Sequence, residues 1–262
     1  MSDVTIIAPH AIYPVQRADR KPTIRGRLDE PMWNQAARTT RFVSSSSGGV
    51  AFFDTQAAVS WDEEALYVAA WLEEHDVWTT GQARRGLTWQ ENTFEVFIAS
   101  EGALYQLSVN PAGDAEELLF IWKDAYQAGG RYDVPDLNLA QCRPAVVGGD
   151  GGPHHRRGQR WLFDNWSMEG LQCAARVSGD LNERHDLDED WTVEIALPWR
   201  GLVHLLDDET SPAAGDRLRM ALARNQIIDQ RQQRFATCWS WHAAGDAGLY
   251  APEAYPVVEL RP

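Results

Sequence analysis

Thr93-Phe94-Glu95-Val96-Phe97-Ile98-Ala99 and, a few residues on, Ala103-Leu104-Tyr105-Gln106-Leu107-Ser108-Val109-Asn110 decide the fold class of this chain. In the first stretch Phe94, Val96 and Ile98 alternate with Glu95 and Phe97; the second alternates in the same way. A period of two marks a strand with one buried face. The same period runs through Ala65–Glu73, where Leu66, Val68, Ala70 and Leu72 share a face and Tyr67, Ala69 and Trp71 take the other. In Trp191–Leu197 it aligns Trp191, Val193, Ile195 and Leu197, with Thr192 and Glu194 pointing away, and it stops at Pro198. Arg217–Arg224 places Leu218, Met220 and Leu222 together, and a last run, Tyr255–Leu260, follows the turn signal Ala251-Pro252-Glu253. Short strands separated by Gly, Pro, Asp and Asn describe an all-β chain: a single antiparallel β-sandwich, jelly-roll or immunoglobulin-like. Helical patterning is brief, at Glu30–Ala37 and Pro198–Leu206. Ser44–Gly49 and Gly148–Gly158 read as loops, and no linker halves the chain. The expected organisation is an N-terminal extension over 1–21 and one sandwich over 22–262.

Composition agrees with one large domain. A chain of 262 residues buries roughly three quarters of its unfolded surface, so neither metal nor disulfide is needed to hold the fold. The charge sum, 24 − 38 = −14, repels phosphate backbones and excludes general nucleic-acid binding. No apolar run reaches the roughly 20 residues that cross a bilayer. Met1–Lys21 has no apolar leader segment, so the expected location is cytoplasmic for the chain as written, and extracellular or periplasmic if a leader has been removed. Cys142, Cys173 and Cys238 form no metal spacing and no disulfide framework. Tryptophan occurs 12 times, which calls for either a thick sandwich core or a stacking surface.

Five phrases in order carry a resemblance. Ile24-Arg25-Gly26-Arg27-Leu28-Asp29-Glu30-Pro31-Met32-Trp33 is similar to an "I-D-G-x-L-D-E-x-x-W" opening. Val59-Ser60-Trp61-Asp62 through Leu66-Tyr67-Val68 is similar to "W-D-x-x-x-L-Y-V", and Trp89-Gln90-Glu91-Asn92-Thr93-Phe94-Glu95-Val96-Phe97-Ile98 to "W-x-x-D-x-V-E-x-F-I". Val109-Asn110-Pro111-Ala112-Gly113 resembles "V-N-P-x-G", and Asp190-Trp191-Thr192-Val193-Glu194-Ile195-Ala196-Leu197-Pro198-Trp199 resembles "G-W-x-V-E-x-A-I-P-W". Together they resemble carbohydrate-binding module family 9, a sandwich related to the DOMON domains, from about Pro22 to Leu260.

The resemblance implies non-catalytic binding of a poly- or oligosaccharide, with no cofactor required. In the family two aromatic residues sandwich a sugar ring while a strand glutamate and polar neighbours bond its hydroxyls. The first aromatic maps onto Trp89 and the glutamate onto Glu95. The polar position on the next strand falls at Ser108, where the best-known members carry arginine, and a late-strand amide falls at Asn225. The second aromatic has no clean match; Trp241 and Tyr250 are the candidates. Asn110, before Pro111, is a turn residue that also enters the candidate set. The chemistry suits sugars, because an indole covers the apolar C–H face of a pyranose and carboxylates or amides satisfy its polar rim. Glu95, opposite Phe94, Val96 and Ile98, is expected to leave the core.

The family often carries structural calcium, and the oxygen-rich stretch with Asn182, Asp186, Asp188 and Asp190 is the candidate place, although its spacing is not that of an EF-hand. His154-His155, beside Arg156-Arg157 in a Gly-rich loop, lacks preorganised metal geometry. Two other classes stay open. A glycan-active enzyme would need two carboxylates roughly 5 to 9 Å apart, with Glu95 and Glu194 the strand candidates. A haem module would need an axial methionine, Met168 or Met220, with a histidine or lysine.

Overall fold

The computed structural model describes residues 5–80, 90–148, 155–183, 187–206, 212–230 and 233–262. Among them the strands are β1 (Ile6–Ile7), β2 (Tyr13–Arg17), β3 (Arg38–Thr39), β4 (Val43–Ser44), β5 (Thr55–Trp61), β6 (Ala65–Glu73), β7 (Thr93–Ala99), β8 (Ala103–Val109), β9 (Ala115–Trp122), β10 (Ala145–Val147), β11 (Arg160–Phe163), β12 (Gln172–Ser178), β13 (Asp190–Pro198), β14 (Arg217–Gln230), β15 (Gln233–Ser240) and β16 (Val257–Leu260). The helices α1 (Pro31–Gln35), α2 (Leu139–Cys142) and α3 (Trp199–Leu202) are each little more than one turn. No described helix is long and apolar enough to cross a membrane.

The strands form a β-sandwich. One layer runs β12-β13-β6-β5, and the other β10-β11-β9-β8-β7-β14, flanked by β15 and β16. β2 joins the layers, lying parallel to both β16 and β5. Residues 13–17, within the stretch read from sequence as an extension, thus take part in the sheets, and Tyr13 and Val15 are fully buried. The Tyr13 hydroxyl donates to the Ala37 carbonyl and accepts from Val59 N.

The alternation decides which side chains meet between the layers. Val68, Leu72, Trp191, Val193 and Ile195 from one sheet face Phe94, Val96, Ile98, Leu107 and Leu222 from the other. Each such side chain contributes roughly 1.5–3 kcal/mol by leaving water. Trp33, Trp61, Trp191 and Trp199 are buried as core residues.

Both outer faces are covered as well. On the β12-β13-β6-β5 layer, Met32, Trp33 and Ala36 pack on Ala58, Tyr67, Ala69 and Ala196. On the second layer, Ala244, Leu249 and Tyr255 pack on Phe97, Ala99, Leu104, Ala221 and Ala223. Residues 244–256 thus lie across the Phe97 row, and that strap shapes everything on this face.

Candidate functional site

On β7, Phe94, Val96 and Ile98 point into the sandwich, so Thr93, Glu95 and Phe97 point outward. Register sets Glu95 opposite Ser108 on β8 and opposite Ala223 on β14. Ser108 in turn lies opposite Glu116 on β9, and Thr93 opposite Asn225. The sheet therefore gathers Glu95, Ser108 and Asn225 on one face, together with Glu116 and Gln106.

Glu95 does not stand in solvent as its outward register suggested; it is only 8% exposed. Its immediate neighbours Thr93, Ser108 and Ala223 are small, Phe97 lies next along the strand, and Tyr250 of the strap packs on the same face. The Tyr250 ring meets Phe97 and Phe120 edge-on, at 6.0 and 5.4 Å between centroids. Its hydroxyl donates to Gln106 Oε1 at 2.8 Å. Gln106 Nε2 donates to Ser108 Oγ at 3.4 Å, and Ser108 Oγ donates to Glu95 Oε1 at 3.4 Å. Thr93 Oγ1 donates to the same oxygen, also at 3.4 Å. Every donor in the chain Tyr250–Gln106–Ser108–Glu95 points towards the carboxyl, but its two direct bonds are long. Burial wins: it pushes the Glu95 carboxyl up to about 7, against the two hydroxyls. Burial, with the charge of nearby Glu95, also pushes the Cys238 thiol up to about 12. Gln106 and Thr93 were missed in the sequence, although the same alternation that exposes Glu95 and Ser108 places them on this face.

Two expected site residues are engaged elsewhere, and a third is on the face but already partnered. Trp241 is 1% exposed and lies in the central core, its ring against Tyr13 at 5.6 Å and its Nε1 donating to Ile7 O at 3.3 Å. It cannot stack on a sugar. Asn110 is fully buried: its Oδ1 accepts from Ala112 N and Asp114 N, an Asx turn, and its Nδ2 donates to Thr79 Oγ1 and Glu91 Oε2 at 3.0 and 3.1 Å. Asn225 is half-buried on the right face, with its Nδ2 already donating to Glu91 O at 2.8 Å. Trp89 lies outside the described residues. The residues flanking its segment are tied together, because Glu91 accepts from the Thr79 hydroxyl and from Thr80 N and Oγ1.

The proposed calcium stretch serves the backbone. Asp188 accepts from Val77 N at 2.6 Å and Asp180 N at 2.9 Å, Asn182 Oδ1 accepts from Thr79 N, and Asp190 accepts from Ser178 Oγ. Asp186 lies outside the described residues, and among those described no three His, Cys, Asp or Glu side chains are placed to hold a metal. His154 is likewise outside them, while His155 pairs with Glu253 at 2.9 Å. Met168 and Met220 are both packed in the central core rather than facing an open slot. Glu194 projects from the outer face of the other sheet. There it accepts from Arg25 N, Gly26 N and Trp33 Nε1 at 2.8, 3.1 and 2.8 Å, locking the N-terminal segment down. The whole core separates it from Glu95, so the two cannot face one sugar.

No family model matches the chain, and no curated protein matches it. Solved structures do. A family 9 carbohydrate-binding module from Caldicellulosiruptor kristjanssonii, solved with cellotriose, superposes with a TM-score of 0.54 at 14% identity, covering 96% of this chain and 94% of that one. A "putative carbohydrate-binding protein" from Bacteroides uniformis superposes with a TM-score of 0.60 at 12% identity, over 99% of this chain and 100% of that one. The chain has the β-sandwich fold of carbohydrate-binding module family 9.

Proposed function

We propose that the chain binds a poly- or oligosaccharide without cleaving it, through the outer face of β7, β8, β9 and β14 centred on Glu95. The observation that carries this reading is the underpaired buried carboxyl at the end of the Tyr250–Gln106–Ser108 donor chain. A perturbed, underpaired carboxyl on a sheet face beside Tyr250, Phe97 and Phe120 is a site feature, because the fold gains nothing from it. Ser108, Asn225 and Tyr250 would satisfy the polar rim of a sugar. Trp89 would supply the stacking face. The fold shared with a sugar-bound module adds to the reading.

The test is calorimetric titration against cello-, xylo- and galacto-oligosaccharides, with calcium and with chelator. Binding that falls more than tenfold in both Trp89→Ala and Glu95→Gln supports the reading; silence across the panel sinks it. One observation favours a second reading. Glu116 sits two strands from Glu95 on the same face, about 10 Å between backbones, and its charge helps to raise the Glu95 carboxyl. An acid poised near neutrality with a second carboxylate on the same face would suit an inverting glycosidase if the two carboxyl groups stand roughly 6.5–9.5 Å apart. Released reducing sugar that vanishes in Glu95→Gln would establish that reading in place of the first.

A further inference from the structure

Beyond the strap from Glu95, the same sheet face ends in a cleft of about 1120 Å³. Arg217 and Arg219 enter it from β14, Arg156 and Arg157 from the segment before β11, and Arg131 from the loop after β9. Five arginines and His155 here meet two lining acids, Glu101 and Glu253, in a chain whose net charge is −14. Several of the arginines are held in place. Arg157 donates to Asp124 at 3.0 Å and lies over the Trp122 ring at 5.1 Å, Arg217 pairs with Glu259 at 2.7 Å, and Arg131 donates to the Val203 and Leu206 carbonyls. Arg156 and Arg219 are exposed and form no side-chain ion pair at contact distance among the described residues, although the Arg156 charge acts on nearby Glu253; Arg219 makes a 3.4 Å contact to the Glu253 carbonyl. Leu218, Val257 and Trp122 give the cleft an apolar side. Fixed cations around two exposed guanidinium forks with no contact ion pair, beside an apolar wall, match a ligand with a hydrophobic face and an oxyanion, since the planar fork suits carboxylate geometry.

We propose that this cleft binds the oxyanion of an acidic saccharide, with a uronic acid carboxylate as the group seated between Arg156 and Arg219. Ala99, at the cleft, lies four residues along β7 from Glu95, roughly 13 Å at strand rise. One extended glycan crossing the strap can therefore occupy both places. The inference rests on the reading that the chain binds saccharides, and the experiment keeps the two apart.

The full chain is titrated at low salt with four probes: a neutral xylo-oligosaccharide, the same oligosaccharide carrying one glucuronic acid, a sulfated disaccharide, and inorganic phosphate. The uronate-bearing probe should bind about tenfold tighter than the neutral one, the worth of one charge-assisted contact. That preference should vanish in the Arg156→Ala/Arg219→Ala double variant, which breaks no ion pair of the fold, while neutral binding stays unchanged. Equal affinity for acidic and neutral probes, or a preference that survives the double variant, overturns the proposal. Phosphate binding as tightly as the uronate overturns the saccharide requirement, and a tighter sulfated probe overturns the choice of carboxylate. Uronate binding that is lost in the double variant but untouched by Glu95→Gln, with neutral probes silent, upholds the cleft and removes the Glu95 reading.

Discussion

Glu95→Gln should make the protein more stable above neutral pH and leave it unchanged in acid. Folded, the carboxyl keeps its proton up to about pH 7; unfolded, it releases it near 4.5. Between those values the folded state binds more protons than the unfolded one, so the wild-type chain loses stability as pH rises. Moving the midpoint from 4.5 to about 7 corresponds to about 3 kcal/mol, at 1.36 kcal/mol per pH unit. Glutamine has the same shape and never ionises, and the Ser108 and Thr93 hydroxyls can turn to pair with its amide. At 2–4 °C per kcal/mol for a chain of this size, the variant should melt roughly 6–12 °C higher at pH 8.5 and within a degree or two of wild type at pH 4. Glu74 and Glu117 are also raised by burial and give the wild-type profile the same slope. The difference between the two proteins, followed by circular dichroism melts across pH, isolates Glu95. A constant offset at every pH, or a variant less stable in alkali, would refute the burial argument and with it the site assignment.

Three further outcomes follow, two from other buried polar groups and one from a tightly packed glycine. Arg224 is fully buried and bridges the sheets, donating to Glu74 Oε2 at 2.6 Å and to Thr55 Oγ1 and Glu73 O. Glu74→Ala strands that charge and should cost about 3–5 kcal/mol in urea unfolding; a loss under 1 kcal/mol would mean that water reaches the guanidinium. Glu194→Gln cannot accept from two backbone amides and an indole as the carboxylate does. It should lose about 2–3 kcal/mol while the sugar dissociation constant stays put, and a changed constant would bring the far sheet into the binding site. Gly26 has φ +72 and an added Cβ would lie 2.7 Å from the Ala175 backbone carbon, so Gly26→Ala should destabilise by at least about 2 kcal/mol. A near-neutral melt would show that the N-terminal segment can lift away.

How far the sequence carried the fold differs by feature. The expected runs at Ala65–Glu73 and Thr93–Ala99 coincide with β6 and β7 because alternating side chains there meet a continuous core. The brief helix expected at Glu30–Ala37 is the single turn Pro31–Gln35. β2 was hidden because it contributes two core side chains, Tyr13 and Val15, and its pairing partners lie more than forty residues away. Alternation tells which side chains leave the central core; it is blind to what covers them afterwards. A hint was present, since Phe97, Ala99, Ala221 and Ala223 are outward positions too apolar for an open face. Trp241 failed for a related reason: its face is set by the end of the β14–β15 pairing, which composition does not encode. Asn110 spells a turn and forms one, and its whole hydrogen-bonding capacity is spent inside the protein.

Glu95 is the position where local pattern and tertiary setting disagree. Its strand offers an outward face, its neighbours offer an apolar one, and two hydroxyls at 3.4 Å do not stabilise its charge enough to restore an ordinary midpoint. Glutamine would fill the same space without the roughly 3 kcal/mol lost near neutral pH. Conflicts of this kind concentrate where a protein meets its ligand. The remaining polar groups of the face fit that account, for the donor chain from Tyr250 is ordered towards the carboxyl and away from solvent. A sugar hydroxyl arriving at Glu95 would add the short bond the fold withholds, favour the ionised form, and lower its midpoint. Binding at pH 6 should therefore release protons, and calorimetry in buffers of different ionisation enthalpy will show it; proton uptake, or none, would place the sugar elsewhere.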